Sequence, residues 1–232
     1  MNQDILPLYH DNPSQRTPCM LVLDASGSMD QVVAGTGLTR IDEVNQGLLT
    51  LQQELLGDDT AAQRVQLAIV GVGGPAGGAD LLMDWTDAAQ FEPPRLRAGG
   101  MTPLAQGMRL ALQHVEEHKR RLKANGVAYT RPWIMIISDG APTDEPGLWE
   151  AVRQECRAAE ADKRCVIYPI GVADANMKAL EELSTTPALK LHEAKFREYF
   201  RWLSSSLQSM SNSRPNALVQ LQPTSQWTSV SA

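Results

Sequence analysis

Two short, uninterrupted apolar runs, each ending at oxygen-bearing side chains, constrain this sequence more than any other feature. The first run covers residues 19–23 and ends at Asp24, and the second covers residues 133–137 and ends at Ser138 and Asp139. Continuous apolar runs of this length are typical of strands that are buried on both faces, as in the middle of a parallel sheet. We therefore predict two central strands with an aspartate at the carboxyl end of each.

The remaining segments alternate between strand-like and helix-like patterns. Apolar side chains recur at the spacing of one helix face in residues 40–56, and a mostly apolar stretch follows at 65–70. The same reasoning predicts further strands at 79–85, 165–170 and 189–192, and further helices at 103–123, 146–162, 176–183 and 196–207. Strands that alternate with helices indicate an α/β fold. We predict a central, mostly parallel sheet with one antiparallel edge strand, residues 79–85, and with helices on both faces.

The length of 232 residues suits one α/β domain with short extensions. Residues 1–16 are mostly polar and are interrupted by two prolines, so we predict an N-terminal arm there. Residues 211–232 are rich in Ser, Asn, Gln and Pro, a composition that favours a flexible tail. The domain itself is therefore expected to span residues 17–210.

Charge, hydropathy and cysteine content argue against several functions. The net charge of −6 argues against a nucleic-acid partner, because phosphate binding requires clustered Lys and Arg. No apolar run approaches the ~20 residues needed to cross a bilayer, so no membrane span is expected. The first residues lack the basic start and apolar core of a signal peptide, and the three cysteines have the spacing of neither a disulfide framework nor a metal cluster. We expect a cytoplasmic protein.

Three predicted loops at one edge of the sheet carry oxygen-bearing side chains. Asp24, Ser26 and Ser28 follow the first strand, Thr102 lies in a glycine-flanked loop before a helix, and Asp139 follows the later strand. Ligands of α/β sheets bind at the carboxyl ends of the strands, where these loops are expected to meet. Carboxylates and hydroxyls without imidazole or thiolate suit Mg²⁺, Mn²⁺ or Ca²⁺ better than zinc or copper. We predict one bound Mg²⁺, or Mn²⁺ or Ca²⁺, with an open coordination position that attracts a carboxylate from outside.

Two finer expectations concern single residues of this set. Thr102 precedes Pro103, and threonine followed by proline is typical of a helix N-cap and first helical position. Asp24 is predicted to lie in a surface loop outside the core. We therefore expect Asp24→Ala to abolish partner binding and to leave the fold intact.

Two other patterns indicate enzymes. Residues 114–118 match the H-x-x-E-H pattern of inverted zinc proteases, with His114 and His118 as ligands and Glu117 as the base. Helical rotation places His114 toward solvent, however, and no third ligand is evident in the sequence. Asp24 at the end of a strand is also similar to the nucleophile of haloacid-dehalogenase-type phosphatases, which would make the chain a metal-dependent hydrolase. That chemistry needs a general acid two residues later, and Ser26 occupies the position.

Three motifs in this order resemble those of von Willebrand factor A domains. They are residues 24–29 (DASGSM), residues 99–104 (GGMTPL) and residues 137–140 (ISDG). The resemblance covers about residues 17–210 and implies a Rossmann-like fold that carries a metal-ion-dependent adhesion site.

The resemblance also implies a role for each of the candidate ligands. Ser26, Ser28 and Thr102 would contact the ion directly, and Asp24 and Asp139 would hold it mainly through water. The sixth ligand would be an Asp or Glu of a protein partner. The function implied is therefore protein binding that depends on a divalent cation and involves no catalysis.

Within the family, residues 96–104 and 133–144 are most similar to the small bacterial TerY-like type, which is associated with tellurium resistance. Relatives of this type are associated with kinase and phosphatase partners in stress-response systems. Residues 31–40 form a longer first loop than the family usually has. We expect this loop to cover the site or to contact the partner.

Overall fold

The computed structural model of the chain describes residues 14–139, 141–192, 195–213, 223–224 and 228–229. Its strands form one sheet, namely β1 (Thr17–Ala25), β2 (Val65–Gly73), β3 (Ala79–Asp87), β4 (Trp133–Ser138), β5 (Val166–Val172), β6 (Leu189–Leu191) and β7 (Thr228–Ser229). The strands lie in the order β3-β2-β1-β4-β5-β6-β7. Neighbouring strands are parallel, except that β3 is antiparallel to β2 at one edge and β7 is antiparallel to β6 at the other.

The two strands predicted to be central are direct neighbours. Every residue of β1 and β4 is buried, and the pair is in parallel register with Leu23 opposite Ile137. Parallel register brings the carboxyl ends of the two strands to the same edge of the sheet. Asp24, near the end of β1, and Asp139, just after β4, therefore start from neighbouring backbone positions.

Helices cover both faces of the sheet. They are α1 (Arg40–Leu56), α2 (Asp59–Arg64), α3 (Leu104–Ala124), α4 (Pro146–Ala161), α5 (Met177–Glu182) and α6 (Phe196–Ser211). The apolar sides of α1, α2 and α6 pack in one core with Leu21 and Leu23 of β1. Those of α3, α4 and α5 pack in a second core with Met20 and Val22, because alternate residues of a strand face opposite sides.

Close packing of α1 on α6 depends on a glycine in the middle of α1. A Cβ at Gly47 would lie 2.0 Å from Cδ2 of Phe200, so the aromatic ring occupies the place of the missing side chain. Phe200 is completely buried there. Burial of a phenylalanine side chain stabilises a fold by about 1.5–3 kcal/mol, and Gly47 makes that burial possible.

The predicted α/β fold, with its mostly parallel sheet, its antiparallel edge strand at β3 and helices on both faces, is confirmed. The sequence patterns did not predict α2 or the two-residue strand β7. The predicted arm, residues 1–16, and the predicted tail, residues 211–232, lie largely outside the described residues, so the division into domains stays a prediction. None of the helices that the structure describes is long and apolar enough to cross a bilayer.

Candidate metal centre

The first loop begins inside β1, whose penultimate residue is Asp24. Only 1% of Asp24 is exposed. Its Oδ1 accepts a hydrogen bond from the backbone N–H of Ser26 at 2.8 Å, and its Oδ2 accepts one from the hydroxyl of Ser138 at 2.5 Å. The prediction that Asp24 lies in a surface loop is wrong, because β1 continues through Ala25. Asp24→Ala would therefore also remove the acceptor that holds the turn after β1, and the intact fold of this variant stays a prediction.

A chain of hydrogen bonds joins the first loop to the third. The short 3₁₀ turn Gly27–Asp30 brings Ser28 Oγ to 3.0 Å from Ser26 Oγ. The Ser28 hydroxyl donates to Oδ1 of Asp139 at 2.6 Å, so its one proton is used and the Ser26 hydroxyl must be the donor to Ser28. The side chain of Asp139 is completely buried. We call the side chains of Asp24, Ser26, Ser28 and Asp139 the oxygen cluster.

The loop that carries Thr102 reaches the oxygen cluster through its backbone. The N–H of Gly27 donates to the carbonyl of Gly100 at 3.1 Å, and Thr102 itself is 5% exposed. The backbone N–H of Thr102 donates to the hydroxyl of Thr143, in the loop after Asp139, at 3.1 Å. In the part of the chain that the structure describes, the Thr102 hydroxyl makes no hydrogen bond to the oxygen cluster. The structure thus joins four predicted ligands directly and places Thr102 in the adjoining loop.

The close approach of these loops depends on glycines whose role the sequence analysis missed. Gly73, the last residue of β2, has φ +86°, and a Cβ there would lie 2.6 Å from the carbonyl oxygen of Met101 and 2.9 Å from Cα of Ser26. Gly100 has φ +66°, and a Cβ there would lie 2.9 Å from the carbonyl oxygen of Gly74. A side chain at either position would separate the loops. The signal in the sequence is the glycine-rich stretch at 71–78, directly after a predicted strand.

The start of α3 differs from the predicted one. The helix begins at Leu104, Pro103 occupies the N-cap position, and neither residue supplies a side-chain cap. Instead, the carboxylate of Asp144 accepts hydrogen bonds from two backbone N–H groups of the first turn, at 2.8 and 3.2 Å. An anion at a helix N-terminus is favourable because it meets the positive end of the helix dipole. The prediction of Thr102 as the N-cap is therefore wrong, since a residue distant in sequence caps the helix.

Burial and charge both act on the oxygen cluster. Burial raises the pKa of the Asp24 carboxyl above its usual value, hydrogen bonds from Ser138 and Ser26 oppose that shift, and the charge of Asp139 adds to it. The guanidinium of Arg40, the first residue of α1, donates from Nη1 to Oδ2 of Asp139 at 2.5 Å. The sequence patterns did not indicate a role for Arg40. Its signal is a positive charge at a helix N-terminus, which the helix dipole disfavours unless a partner compensates for it.

The donor set of the oxygen cluster fits a hard divalent cation. It supplies carboxylate and hydroxyl oxygens. Since the described residues contain no group of three or more His, Cys, Asp or Glu side chains that could hold a metal, a cation here would need the hydroxyls as ligands. A site with carboxylates and hydroxyls but without imidazole or thiolate suits Mg²⁺, Mn²⁺ or Ca²⁺. The two buried carboxylates also disfavour each other's charge, which a cation would relieve.

The histidines of the protease-like pattern are engaged in packing. His114 Nε2 lies 2.8 Å from Oδ1 of Asp84, and His118 Nε2 lies 2.7 Å from Oε1 of Gln66. The ring of Trp85 stacks on that of His118, with centroids 4.3 Å apart. The prediction that His114 faces solvent is wrong, because α3 packs against β3 and the residue is 9% exposed. Burial lowers the pKa of His118 to about 3, which keeps that ring neutral.

Asp24 is also poorly placed for the hydrolase alternative. A nucleophilic carboxylate needs an oxygen that can reach the substrate. Both oxygens of Asp24 accept hydrogen bonds, and the residue is almost completely buried. No observation of the structure therefore favours phosphoryl transfer to this carboxylate.

Residues 20–210 match the family model described as the von Willebrand factor type A domain. The match covers most of the chain, and the chain therefore belongs to this family. It includes β4, all but the first three residues of β1, and all three loops described above. No curated protein sequence matches the chain.

Similar solved structures include three proteins of bacterial pili. The pilus adhesin SpaC from Lactobacillus rhamnosus GG has 15% identity and a TM-score of 0.61, over 85% of this chain and 32% of that one. A D319A mutant of the PilB minor pilin from Streptococcus sanguinis has 13% identity and a TM-score of 0.57, over 84% and 62%. The vWF domain of the type V pili tip protein Mfa5 from Porphyromonas gingivalis has 11% identity and a TM-score of 0.59, over 88% and 99%.

These identities are too low for more than a likeness of fold. The chain spans about a third of the length of SpaC, 32%, and nearly all of the Mfa5 domain, 99%. The similarity is therefore to one domain of the longer adhesin. The structural neighbours and the family model agree on a von Willebrand A fold, which is a common scaffold of adhesion and protein-binding modules.

Proposed function

We propose that this chain is a non-catalytic module that binds a protein partner through a divalent cation, with Mg²⁺ as the first candidate. The ion would be held by Asp24, Ser26, Ser28, Thr102 and Asp139, and an Asp or Glu of the partner would complete its coordination. Mn²⁺ and Ca²⁺ are the other cations that such oxygen ligands suit.

The observation that carries the proposal is the hydrogen-bonded path from Ser26 through Ser28 to Asp139. Ser28 and Asp139 come from loops 111 residues apart, yet their oxygens are 2.6 Å from each other. The oxygens lie at the carboxyl edge of the sheet, where α/β folds bind their ligands. Hydroxyls and carboxylates that converge on one small volume supply the ligands of a hard cation without any contribution from imidazole or thiolate.

The chemistry of such a site is electrostatic. A bound divalent cation supplies a concentrated positive charge that attracts a carboxylate, and the chain's own residues orient that charge. Asp24 acts mainly by holding the turn that positions Ser26, because both of its oxygens already accept hydrogen bonds. Ser28 is only partly buried, so it lies nearer to an approaching partner than Asp24 does. A partner with an exposed Asp or Glu is the class of ligand that this arrangement favours.

A narrower assignment concerns the biological setting. The resemblance of residues 96–104 and 133–144 to the TerY-like type supports a role in a bacterial stress-response complex of the tellurium-resistance kind, with kinase or phosphatase partners. Cys19, Cys156 and Cys165 are buried and free, which is compatible with a reducing compartment, and we place the protein in the cytoplasm. Cell fractionation tests the location, and recovery of the protein outside the cytoplasm would contradict it.

The experiment that tests the proposed function compares partner capture by the unaltered chain, Ser28→Ala and Ser209→Ala. Ser209 is a matched control, because it is also a partly buried serine and, among the described residues, its hydroxyl donates to its own helix, at Ser205 O. We expect the partner to be retained in Mg²⁺ by the unaltered chain and by Ser209→Ala, and to be lost in EDTA or with Ser28→Ala. If the partner is retained equally well in EDTA and by Ser28→Ala, the proposal is refuted.

A further inference from the structure

Arg40 holds a fixed position at the edge of the oxygen cluster. It is the first residue of α1, directly after the N-cap Thr39, whose side chain accepts a hydrogen bond from the backbone of Asp42 in a capping box. Its own backbone N–H donates to the carbonyl of Gln31 at 3.0 Å, which closes the loop of residues 31–40. Helix and loop therefore both anchor the backbone of Arg40, and the side chain extends from this anchor to the third loop.

The guanidinium of Arg40 contacts one carboxylate of the oxygen cluster and one backbone carbonyl beside it. Nη1 donates to Oδ2 of Asp139 at 2.5 Å and lies 3.4 Å from the carbonyl oxygen of Ser28. The Arg40 side chain is 15% exposed and that of Asp139 is fully buried, so water screens the pair only weakly. Since Oδ1 of Asp139 accepts from the Ser28 hydroxyl, both oxygens of this carboxylate are engaged.

We propose that Arg40 is a built-in counter-cation that competes with the divalent cation for Asp139 and so sets the cation affinity of the site. The inference rests on the proposed function, because it takes the oxygen cluster to be the cation site. A divalent ion drawn to Asp139 meets a full positive charge that is already hydrogen-bonded to the same carboxylate. The ion must displace the guanidinium from Oδ2 or bind against its repulsion. Either way the affinity is lower than the oxygen ligands alone would give.

Release of the guanidinium would also reshape the neighbouring surface. Arg40 lines a small pocket of about 100 Å³ together with Val32, Val172 and Phe196, beside the oxygen cluster. Val32 is 65% exposed, so one wall of this pocket belongs to the surface that a partner would meet. Displacement of Arg40 thus links cation binding to the shape of the loop at 31–40.

The test measures Mg²⁺ affinity of the full chain by calorimetry for the unaltered protein, Arg40→Gln, Arg40→Lys and Arg153→Gln. A unit charge in contact with a carboxylate shifts its proton affinity by about ten- to thousandfold, and a divalent ion carries twice the charge of a proton. We therefore expect Arg40→Gln to bind Mg²⁺ at least about tenfold more tightly. Because Arg40→Lys keeps the unit charge at this position, its Mg²⁺ affinity should stay within about threefold of that of the unaltered chain. Arg153→Gln removes a positive charge that is paired with Glu182 elsewhere and should change nothing.

The outcomes separate this inference from the proposed function. If the unaltered chain binds Mg²⁺ and Arg40→Gln binds it equally or more weakly, the role of Arg40 is refuted and the cation site stands. Equal tightening by Arg40→Gln and Arg40→Lys also refutes it, because charge is then not the cause. If neither the unaltered chain nor Arg40→Gln binds Mg²⁺, Mn²⁺ or Ca²⁺, the cation site itself is refuted.

A second measurement follows the Arg40 guanidinium directly in the unaltered chain and uses the folded Arg40→Lys variant for assignment alone. The guanidinium ¹⁵N–H signal of Arg40 can be assigned by NMR from its absence in Arg40→Lys. We expect this signal to be protected from solvent exchange in EDTA and to lose its protection in saturating Mg²⁺. Protection that is unchanged by Mg²⁺, in a protein that calorimetry shows to bind the ion, would overturn the displacement of Arg40.

Discussion

Gly73 offers the sharpest test of the way in which the three loops are held together. Its φ of +86° is a conformation that residues with a side chain rarely adopt, and a Cβ would lie 2.6 Å from Met101 O and 2.9 Å from the backbone of Ser26. Gly73→Ala therefore combines backbone strain with an overlap against two other loops. Gly77, in the turn that follows, has φ +62° and nothing within 4 Å of the position that a methyl group would take, so Gly77→Ala carries the strain alone.

The magnitudes of the two effects separate the variants. An L-residue in the left-handed region costs about 1–2 kcal/mol, and both variants incur this cost. Overpacking of a tight interior costs a further ~1–3 kcal/mol, which falls on Gly73→Ala alone. A difference of ~2 kcal/mol between the variants corresponds to roughly 4–8 °C in Tm for a chain of this size. The overlap lies between Ser26 and Met101, so we also expect Gly73→Ala to weaken Mg²⁺ binding by at least about tenfold.

The assay combines thermal unfolding in EDTA with calorimetric titration of Mg²⁺ into each variant. We expect Gly77→Ala to lose a few degrees in Tm and to keep the cation affinity of the unaltered chain. Gly73→Ala should lose more in both measurements. Equal Tm values and equal Mg²⁺ affinities for the two variants would show that the loops tolerate separation, and the reasoning from close approach would then be wrong.

Two further predictions concern stability alone. Burial lowers the pKa of His118 from its ordinary 6.5 to about 3, so the unfolded chain binds more protons than the folded chain between these values. Stability is therefore complete above about pH 6.5 and falls as the pH drops, by about 2 kcal/mol between pH 7 and pH 5 from this group. We expect the free energy of unfolding in urea to depend less on pH in His118→Gln than in His192→Gln, where the histidine is exposed. Equal dependence on pH in the two variants would contradict the lowered pKa of His118. The buried carboxylate of Glu160 accepts hydrogen bonds from the backbone N–H of Ile167 at 2.9 Å and of Thr185 at 2.5 Å. Glu160→Gln turns an N–H group toward at least one of these donors and should lower the free energy of unfolding in urea by ~1–3 kcal/mol. Glu155→Gln, at an exposed position, should lower it by less than ~1 kcal/mol. Equal losses of unfolding free energy would refute the role of Glu160.

The elements that the sequence predicted correctly are those with a local signal. The apolar runs at 19–23 and 133–137 need burial on both faces, and only central strands of a covered sheet provide it. The helix at 40–56 has an apolar stripe along one face, and the structure begins and ends it at Arg40 and Leu56. Because strands alternate with helices along the chain, β1 and β4 were expected to run parallel, which places their polar carboxyl ends at the same edge of the sheet. Ser26, Ser28 and Asp139 could be placed together on that basis alone.

The features that the sequence did not predict depend on contacts between distant segments. Arg40 meets Asp139 across 99 residues, and Asp144 caps α3 by accepting from an N–H group 39 positions earlier, so no pattern within a window reveals either contact. The burial of His114 follows from the side of the sheet on which α3 packs, whereas rotation about the helix axis alone places it toward solvent. Asp24 is buried because β1 extends through Ala25. The sequence did not predict this extension, since the ends of strands are the least certain part of a hydrophobic pattern.

The central claim is that the loops after β1, before α3 and after β4 surround one divalent cation. The most direct measurement is an anomalous difference map from crystals grown with Mn²⁺, which reports the position of the ion without any assumption about its ligands. We predict one strong peak within coordination distance of the hydroxyls of Ser28 and Thr102 and beside the carboxylate of Asp139. A map with no peak there, or with its peak at another place on the protein, would contradict the account.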